Sequence, residues 1–393
     1  MALYLPVTWR FKLAYGLLFG AIGIFYPYLA LYFQAVGLPG AQIGILLGIP
    51  PLIGFVVQPL WGMVSDVYHV HRYALALASM GTALSAWLYN ATTDFHLLVL
   101  LTLILAVMRS PLVFLCDALA LDYLETQGRR QEYGSLRLWG SIGFAFSSFV
   151  IGALVIGNAV QRIMPLYALT MIALALLAFA LPTARPSGTS KWWEGITLLQ
   201  RKPMLLKFLL GVLLMGMTLG TVNQYLIVYL TEIHTPGWVS GTTFALAALG
   251  EAPLMAAASS LITRWGLRLV FIGGIAVLPL RWLLYIFVRE PLLMIPIQFF
   301  HSISMLSLLV VGVIYVDQQL TREWRATGQA LYQTMLQGIG AGLGTFAAGI
   351  IYGQGGMVPV WWVCLAINVL GVSVIMWAGR QPVLSRVEEG ARP

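Results

Sequence analysis

Long apolar runs separated by short polar stretches dominate the chain. Twelve of them fall near 11–34, 41–64, 73–91, 97–122, 134–157, 163–181, 205–231, 239–263, 269–288, 292–316, 326–353 and 358–378. Each is close to the ~20 residues a helix needs to cross a ~30 Å hydrocarbon core. They lack the alternation of a membrane β-barrel, so the pattern predicts twelve transmembrane α-helices, numbered here as spans 1 to 12. The expected fold class is an all-α membrane protein.

The pattern also repeats. "YLALYFQAVGLPGAQIG" from position 28 matches "YLIVYLTEIHTPGWVSG" from position 225 without a gap. Tyr28 pairs with Tyr225, Tyr32 with Tyr229, Pro39-Gly40 with Pro236-Gly237, and Gly44 with Gly241, each 197 positions apart and so half the chain. Two parallel six-helix repeats place a solute site between the halves at mid-membrane. The expected units are 1–181 and 204–378, two pseudo-symmetric bundles. Between them, "PTARPSGTSKWWEGITLLQRKP" (182–203) reads as a cytoplasmic linker whose Trp192, Trp193, Ile196 and Leu199 share one face of a short interfacial helix. Residues 379–393 form a tail.

Composition and charge sharpen this picture. Only 9% of residues are charged, against about 25% in soluble domains. The net charge of +8 reports topology, not a polyanion partner. Of the 22 Lys and Arg, Arg162 and Arg289 lie at one side and Arg109 and Arg281 within helices; the other 18 lie at the opposite loops, tails and helix ends. The positive-inside rule then puts both termini in the cytoplasm of a multi-pass inner-membrane protein. Cys116 and Cys364 sit inside spans 4 and 12, so neither a disulfide framework nor a zinc site is expected, and no cofactor. No cleavable signal peptide is expected.

Against this apolar background the buried charges stand out. Glu251 interrupts "TTFALAALGEAPLMAAASSLI" in span 8, although a mid-membrane carboxylate costs about 2.5–3.5 kcal/mol on insertion scales. Arg281 lies in span 9, His301 in span 10, and Arg109 and Asp117 in span 4. Desolvation disfavours an ionised carboxylate and a nearby arginine favours it, so a site that alternates between wet and dry can load and release a proton. Glu251 is the best proton carrier on this ground; a static Glu251–Arg281 ion pair is the alternative. It aligns with Gly54 in the repeat, so the charge belongs to one half only. His301 fits a second coupling group or a core histidine bonded to Gln298 or Ser302. His69 and His71 flank a turn expected to face headgroups. Tyr28, Tyr32, Asn223, Gln224, Tyr225, Tyr332 and Gln333 are candidate cavity-lining groups and Gln298 a candidate substrate-binding amide, although any one of them is more often packing than ligand. "GIGAGLG" sits inside a helix, where small residues permit close helix approach.

Several motifs resemble the major facilitator superfamily. "GMVSDVYHVHR" is similar to its loop signature through Gly62, Asp66 and Arg72, with Val67 where an arginine is usual. "SSLITRWGLR" fits through Arg264, Gly266 and Arg268, with Thr263 in place of the acid. "EYGSLRLWGSIGF" resembles the start of helix 5 in lactose permease-like proton symporters, and "PLWGMVSD", "LGEAPL" and "GQALYQTMLQGIGAGLG" resemble their phenylpropionate-permease branch. This resemblance implies solute–proton symport, with Glu251, Arg281 and His301 as coupling groups. Ser304 replaces the glutamate that follows the histidine in that group. It further implies that Arg137 and Asp117 bind substrate, an inter-helix pair being the alternative, and that the Gly62–Asp66–Arg72 loop sets the conformational balance. Arg109, with Asp117 eight residues on and roughly 12 Å away along a helix, lacks an evident partner and suits an anion.

The sequence thus reads as a proton-coupled symporter of a small organic solute, an aromatic acid first and a sugar or nucleoside second. A membrane sensor on the same fold is the alternative of another class. No HExxH or GxSxG motif is present to suggest an enzyme. Expected partners are the solute, protons and the bilayer, without nucleic acid; the expected oligomeric state is a monomer.

Overall fold

The computed structural model describes residues 5–155, 159–183, 203–320 and 324–378. The tethering helix expected around Trp192 and Trp193 and the tail from 379 lie outside the described residues. Those described form an all-helical membrane protein of twelve spans in two six-helix bundles. Ten helices are long and apolar enough to cross a membrane, and an eleventh arises if Val7–Phe25 and Leu29–Ala35, bent by 40°, are one span. His71–Tyr89, at 19 residues, completes the twelve. It is the least apolar because His71, Arg72 and Tyr73 open it; further along, Thr82 and Ser85 each return a hydroxyl to a carbonyl one turn back, at 2.7 and 2.8 Å.

Two of the breaks follow from proline chemistry. Pro27 lies at the bend of span 1. Pro111 splits span 4 into Phe95–Arg109 and Leu112–Thr126. Lacking an N–H, it leaves the Val107 carbonyl without its helical donor. Trp61 Nε1 of span 2 and the Ser110 hydroxyl both donate to that oxygen at 3.0 Å. The break therefore carries no orphaned carbonyl and ties span 4 to span 2. Spans 10 and 11 instead widen, into π-helical turns at Leu306–Val311 and Thr334–Gly340.

The repeat read from sequence is physical. Tyr32 donates to the Tyr89 carbonyl at the end of span 3 at 3.0 Å, and its counterpart Tyr229 donates to the Tyr285 carbonyl at the end of span 9 at 2.5 Å. Between the halves, Gly44 of span 2 meets Phe346 and Gly349 of span 11, while Gly241 of span 8 meets Ser148 and Phe149 of span 5. Gly152 and Gly349 are themselves 197 apart, and each faces the other half's glycine helix. One pseudo-two-fold axis thus relates both contacts.

These glycine contacts sit at the end remote from the basic loops. There the halves are sealed. Along span 2, Gly40, Gly44, Gly48 and Phe55 approach span 11, but Pro59 and Met63, one and two turns further on that side, are exposed, and a methyl group on Gly62 would meet only Phe114 of its own half. On span 8, Ser259 and Ser260 are exposed likewise. The halves part toward the basic end.

Candidate functional site

Span 8 carries Glu251 toward the opposite half. Phe244 meets Tyr28 of span 1 edge-on, with ring centroids 5.8 Å apart. Glu251 follows seven residues later, two helical turns on and on the same face. Its side chain keeps 28% of its exposure, against 10% for His301 behind it.

Behind the carboxylate the groups are stacked in a definite order. His301 Nε2 lies 3.3 Å from Glu251 Oε1, and His301 Nδ1 lies 3.0 Å from Arg281 Nη1. The remaining arginine donors are used as well. Nε donates to the Tyr285 hydroxyl and Nη2 to Gln298 Oε1, each at 3.0 Å. The expected direct Glu251–Arg281 pair is therefore corrected: His301 stands between them. Gln298 likewise is no cavity-lining amide, because it is 2% exposed and closed onto Arg281.

This arrangement fixes a tautomer. A guanidinium only donates, so the nitrogen facing Arg281 must accept and Nδ1 carries no proton. His301 is then the neutral Nε2–H form, pointing its one proton at Glu251. It cannot take a second proton while Arg281 holds Nδ1. Among these groups the carboxylate is the most exposed.

The other half presents a stripe that the sequence reading missed. Tyr15, Phe19 and Tyr26 fall on one face of span 1, at spacings of four and seven. Arg137 lies 3.8 Å over the Phe19 ring and 5.8 Å from that of Tyr15, and Arg109 lies 5.3 Å over Tyr26. Asp117 accepts from the Tyr15 hydroxyl at 2.6 Å. Neither arginine has a carboxylate within 4.0 Å among the described residues. The expected Arg137–Asp117 pair is thus replaced by two groups that share Tyr15. The i, i+4, i+11 spacing of the aromatics was the signal available for finding them.

Three further expectations change. Tyr28, Tyr225 and Tyr332 are each 0% exposed, so they pack and do not line an open surface. Tyr28 and Tyr332 donate to the Ser148 and Leu308 carbonyls, each at 2.5 Å, pinning neighbouring helices. Gln224 is buried at 2%, while Asn223 stays half-buried. A shallow opening of about 590 Å³ lies at the sealed end, lined by Gln34, Glu232, Tyr352 and neighbouring glycines. None of the charged groups above borders it.

At the basic end, Gly62 packs toward Phe114. Asp66 is bound by His71 Nε2 at 2.9 Å, and His71 is 1% exposed. His71 therefore does not face headgroups; it is a partner of Asp66. Arg72 instead reaches the Tyr73 hydroxyl at 2.7 Å. Because this pair belongs to the state seen here, Asp66→Asn should shift the balance between the two orientations without altering intrinsic solute affinity. A shift of about tenfold in the ratio matches the loss of one charge-assisted hydrogen bond. Distances between spin labels on the basic helix ends would show it, and unchanged distributions would contradict it.

Two six-helix halves, sealed at one end and parted at the other around buried mid-membrane charges, define a secondary-transporter type of membrane protein. The chain belongs to the MFS_1 like family, whose family model matches residues 8–363, and so to the major facilitator superfamily. It is 30% identical over 376 residues to the maltose permease of Geobacillus stearothermophilus, covering 93% of each chain. Over 183 residues, 46% of this chain and 48% of the relative, it is 32% identical to an Escherichia coli protein named a probable 3-phenylpropionic acid transporter. Its fold superposes on the crystal structure of the nucleoside transporter NupG with a TM-score of 0.86 at 18% identity, over 96% of this chain and 100% of that one. It is a multi-pass transporter of the permease type, with a small molecule as substrate.

Proposed function

We propose that the protein is a proton-coupled symporter of a small, neutral, polyhydroxylated solute, a sugar or a nucleoside, working by alternating access. Both termini face the cytoplasm, on the side where the halves part, and the unit is a monomer in the cytoplasmic membrane. No nucleic acid takes part. Glu251 carries the proton, with His301 and Arg281 behind it; Asn223, Asp117 and Arg137 flank the solute.

One observation carries the choice of solute. In the second half the group turned toward the first is a carboxylate, and Arg281 is shut away at 1% exposure. An anion approaching there meets Glu251 first, whereas a hydroxyl-rich solute can donate to Glu251 and Asp117 and accept from Arg137. The likeness to a maltose permease over nearly the whole chain points the same way. The aromatic acid expected from sequence remains the second reading, because Arg109 and Arg137 lie against aromatic rings without a carboxylate partner among the described residues.

A binding panel separates the two. Disaccharides and nucleosides should raise the melting temperature of the purified protein and compete in proteoliposome uptake, and aromatic acids should do neither. If acids alone bind, Arg109→Gln should weaken the acid far more than its neutral amide, and the neutral-solute reading falls.

A further inference from the structure

Behind the coupling groups lies a residue that neither the motifs nor the buried charges single out. Tyr285 is one helical turn beyond Arg281 in span 9, and it is 0% exposed. Its hydroxyl accepts from Arg281 Nε at 3.0 Å and from Gln298 Nε2 at 3.1 Å. Gln298 Oε1 in turn accepts from Arg281 Nη2 at 3.0 Å. Arginine, tyrosine and glutamine thus close a three-membered ring of hydrogen bonds. That ring uses two of the guanidinium's three nitrogens and aims the third, Nη1, at His301 Nδ1.

The phenol itself cannot drift. Its ring is wedged against Trp361, Tyr229 and Trp282, with centroids 5.2, 5.8 and 5.9 Å away. The Tyr285 carbonyl receives the Tyr229 hydroxyl at 2.5 Å, the repeat's own helix-pinning contact. A fixed oxygen is what a long, flexible arginine needs to keep one geometry, since its side-chain freedom otherwise opposes it.

We propose that Tyr285 is a positioning residue for proton coupling: it clamps Arg281 so that Nη1 stays on His301 Nδ1, which holds the imidazole as a neutral donor to Glu251. The cavity-facing carboxylate is then the group that takes the proton, and His301 is kept from competing for it. The charged and titratable groups around His301 are Glu251 from span 8 and Arg281 and Tyr285 from span 9. This inference rests on the reading of Glu251 as the coupling group.

Tyr285→Phe keeps the ring and removes only the oxygen. In the full-length reconstituted protein it should lower proton-driven accumulation about tenfold, the factor expected for one hydrogen bond to a charged group. Solute exchange should stay within about twofold, because Tyr285 does not touch the solute. The decisive readout is the ¹⁵N resonance pair of His301, assigned by its loss in His301→Asn. The parent should show the neutral Nε2–H tautomer at neutral pH; Tyr285→Phe should show imidazolium or a tautomer mixture. Gln298→Met, which removes the other arm of the clamp, should move the same resonances in the same direction.

An unchanged His301 spectrum in both variants overturns the proposal, as does an equal loss of exchange and accumulation. The two readings also separate. If the His301 spectrum shifts as expected yet Glu251→Gln still concentrates solute, the clamp stands and the assignment of the proton to Glu251 falls.

Discussion

Replacing Glu251 by glutamine should abolish proton-driven accumulation while leaving solute exchange measurable. The amide keeps the size and the acceptor oxygen, so His301 Nε2 retains its partner and the solute keeps a polar neighbour. What disappears is a site that can alternate between charged and neutral forms. A carboxylate wet by the opening between the halves ionises readily, and one sealed from water does not, because an ion at mid-membrane costs about 2.5–3.5 kcal/mol. Reorientation of the solute-loaded carrier with a bare carboxylate is therefore slow, and with both proton and solute aboard it is fast. Glutamine removes the distinction, so the carrier should bring internal solute only level with external solute. In proteoliposomes, counterflow should persist while an imposed pH gradient no longer drives uptake. Continued uphill accumulation by the variant would eliminate Glu251 as the coupling group and leave it a structural partner of His301.

Most of the fold was legible because membrane helices announce themselves through length and apolarity, and the 197-residue repeat fixed how the halves correspond. The break at Pro111 was hidden inside one continuous apolar run, 97–122, although proline's missing N–H explains it once seen. The indole of Trp61 that satisfies the freed Val107 carbonyl was not legible either, since nothing in the sequence gives the azimuth of span 2 against span 4. The charged site was half legible. Scarcity of charge singled out Glu251, Arg281 and His301, and the structure brings them together. Their order was hidden, because helix number and depth do not say which side chain reaches between two others. Tyr285 was invisible for a related reason: among 17 tyrosines, only its contact with Arg281 distinguishes it. His71 was misread because a histidine near a helix end resembles a surface residue until the burial of Asp66 is known.

The second large effect concerns the sealed end. A methyl group on Gly241 would lie 2.7 Å from the Phe149 carbonyl oxygen and 2.9 Å from Phe149 Cα, and one on Gly44 would lie 2.8 Å from the Phe346 oxygen and 3.0 Å from Gly349 Cα. These are backbone atoms of the opposite half, which cannot turn aside as a flexible side chain can. Close approach of the two halves therefore requires glycine at both positions. Gly241→Leu should leave each half folded, because its side chain obstructs only the contact between them, yet it should prevent the seal from forming. The expected result is a carrier held open at the end remote from the basic loops, with transport reduced at least about a hundredfold, since overpacking by several heavy atoms exceeds the few kcal/mol that separate two orientations. Gly44→Leu, its repeat-related counterpart, should act in the same direction. Gly273→Leu provides the control: no atom lies within 4 Å of a methyl group there, so a leucine in a span should by itself cost little. Spin labels at the sealed helix ends should report longer distances in Gly241→Leu and parental distances in Gly273→Leu. Parental distances together with full transport in Gly241→Leu would mean that the glycine contact is incidental and that the halves separate elsewhere.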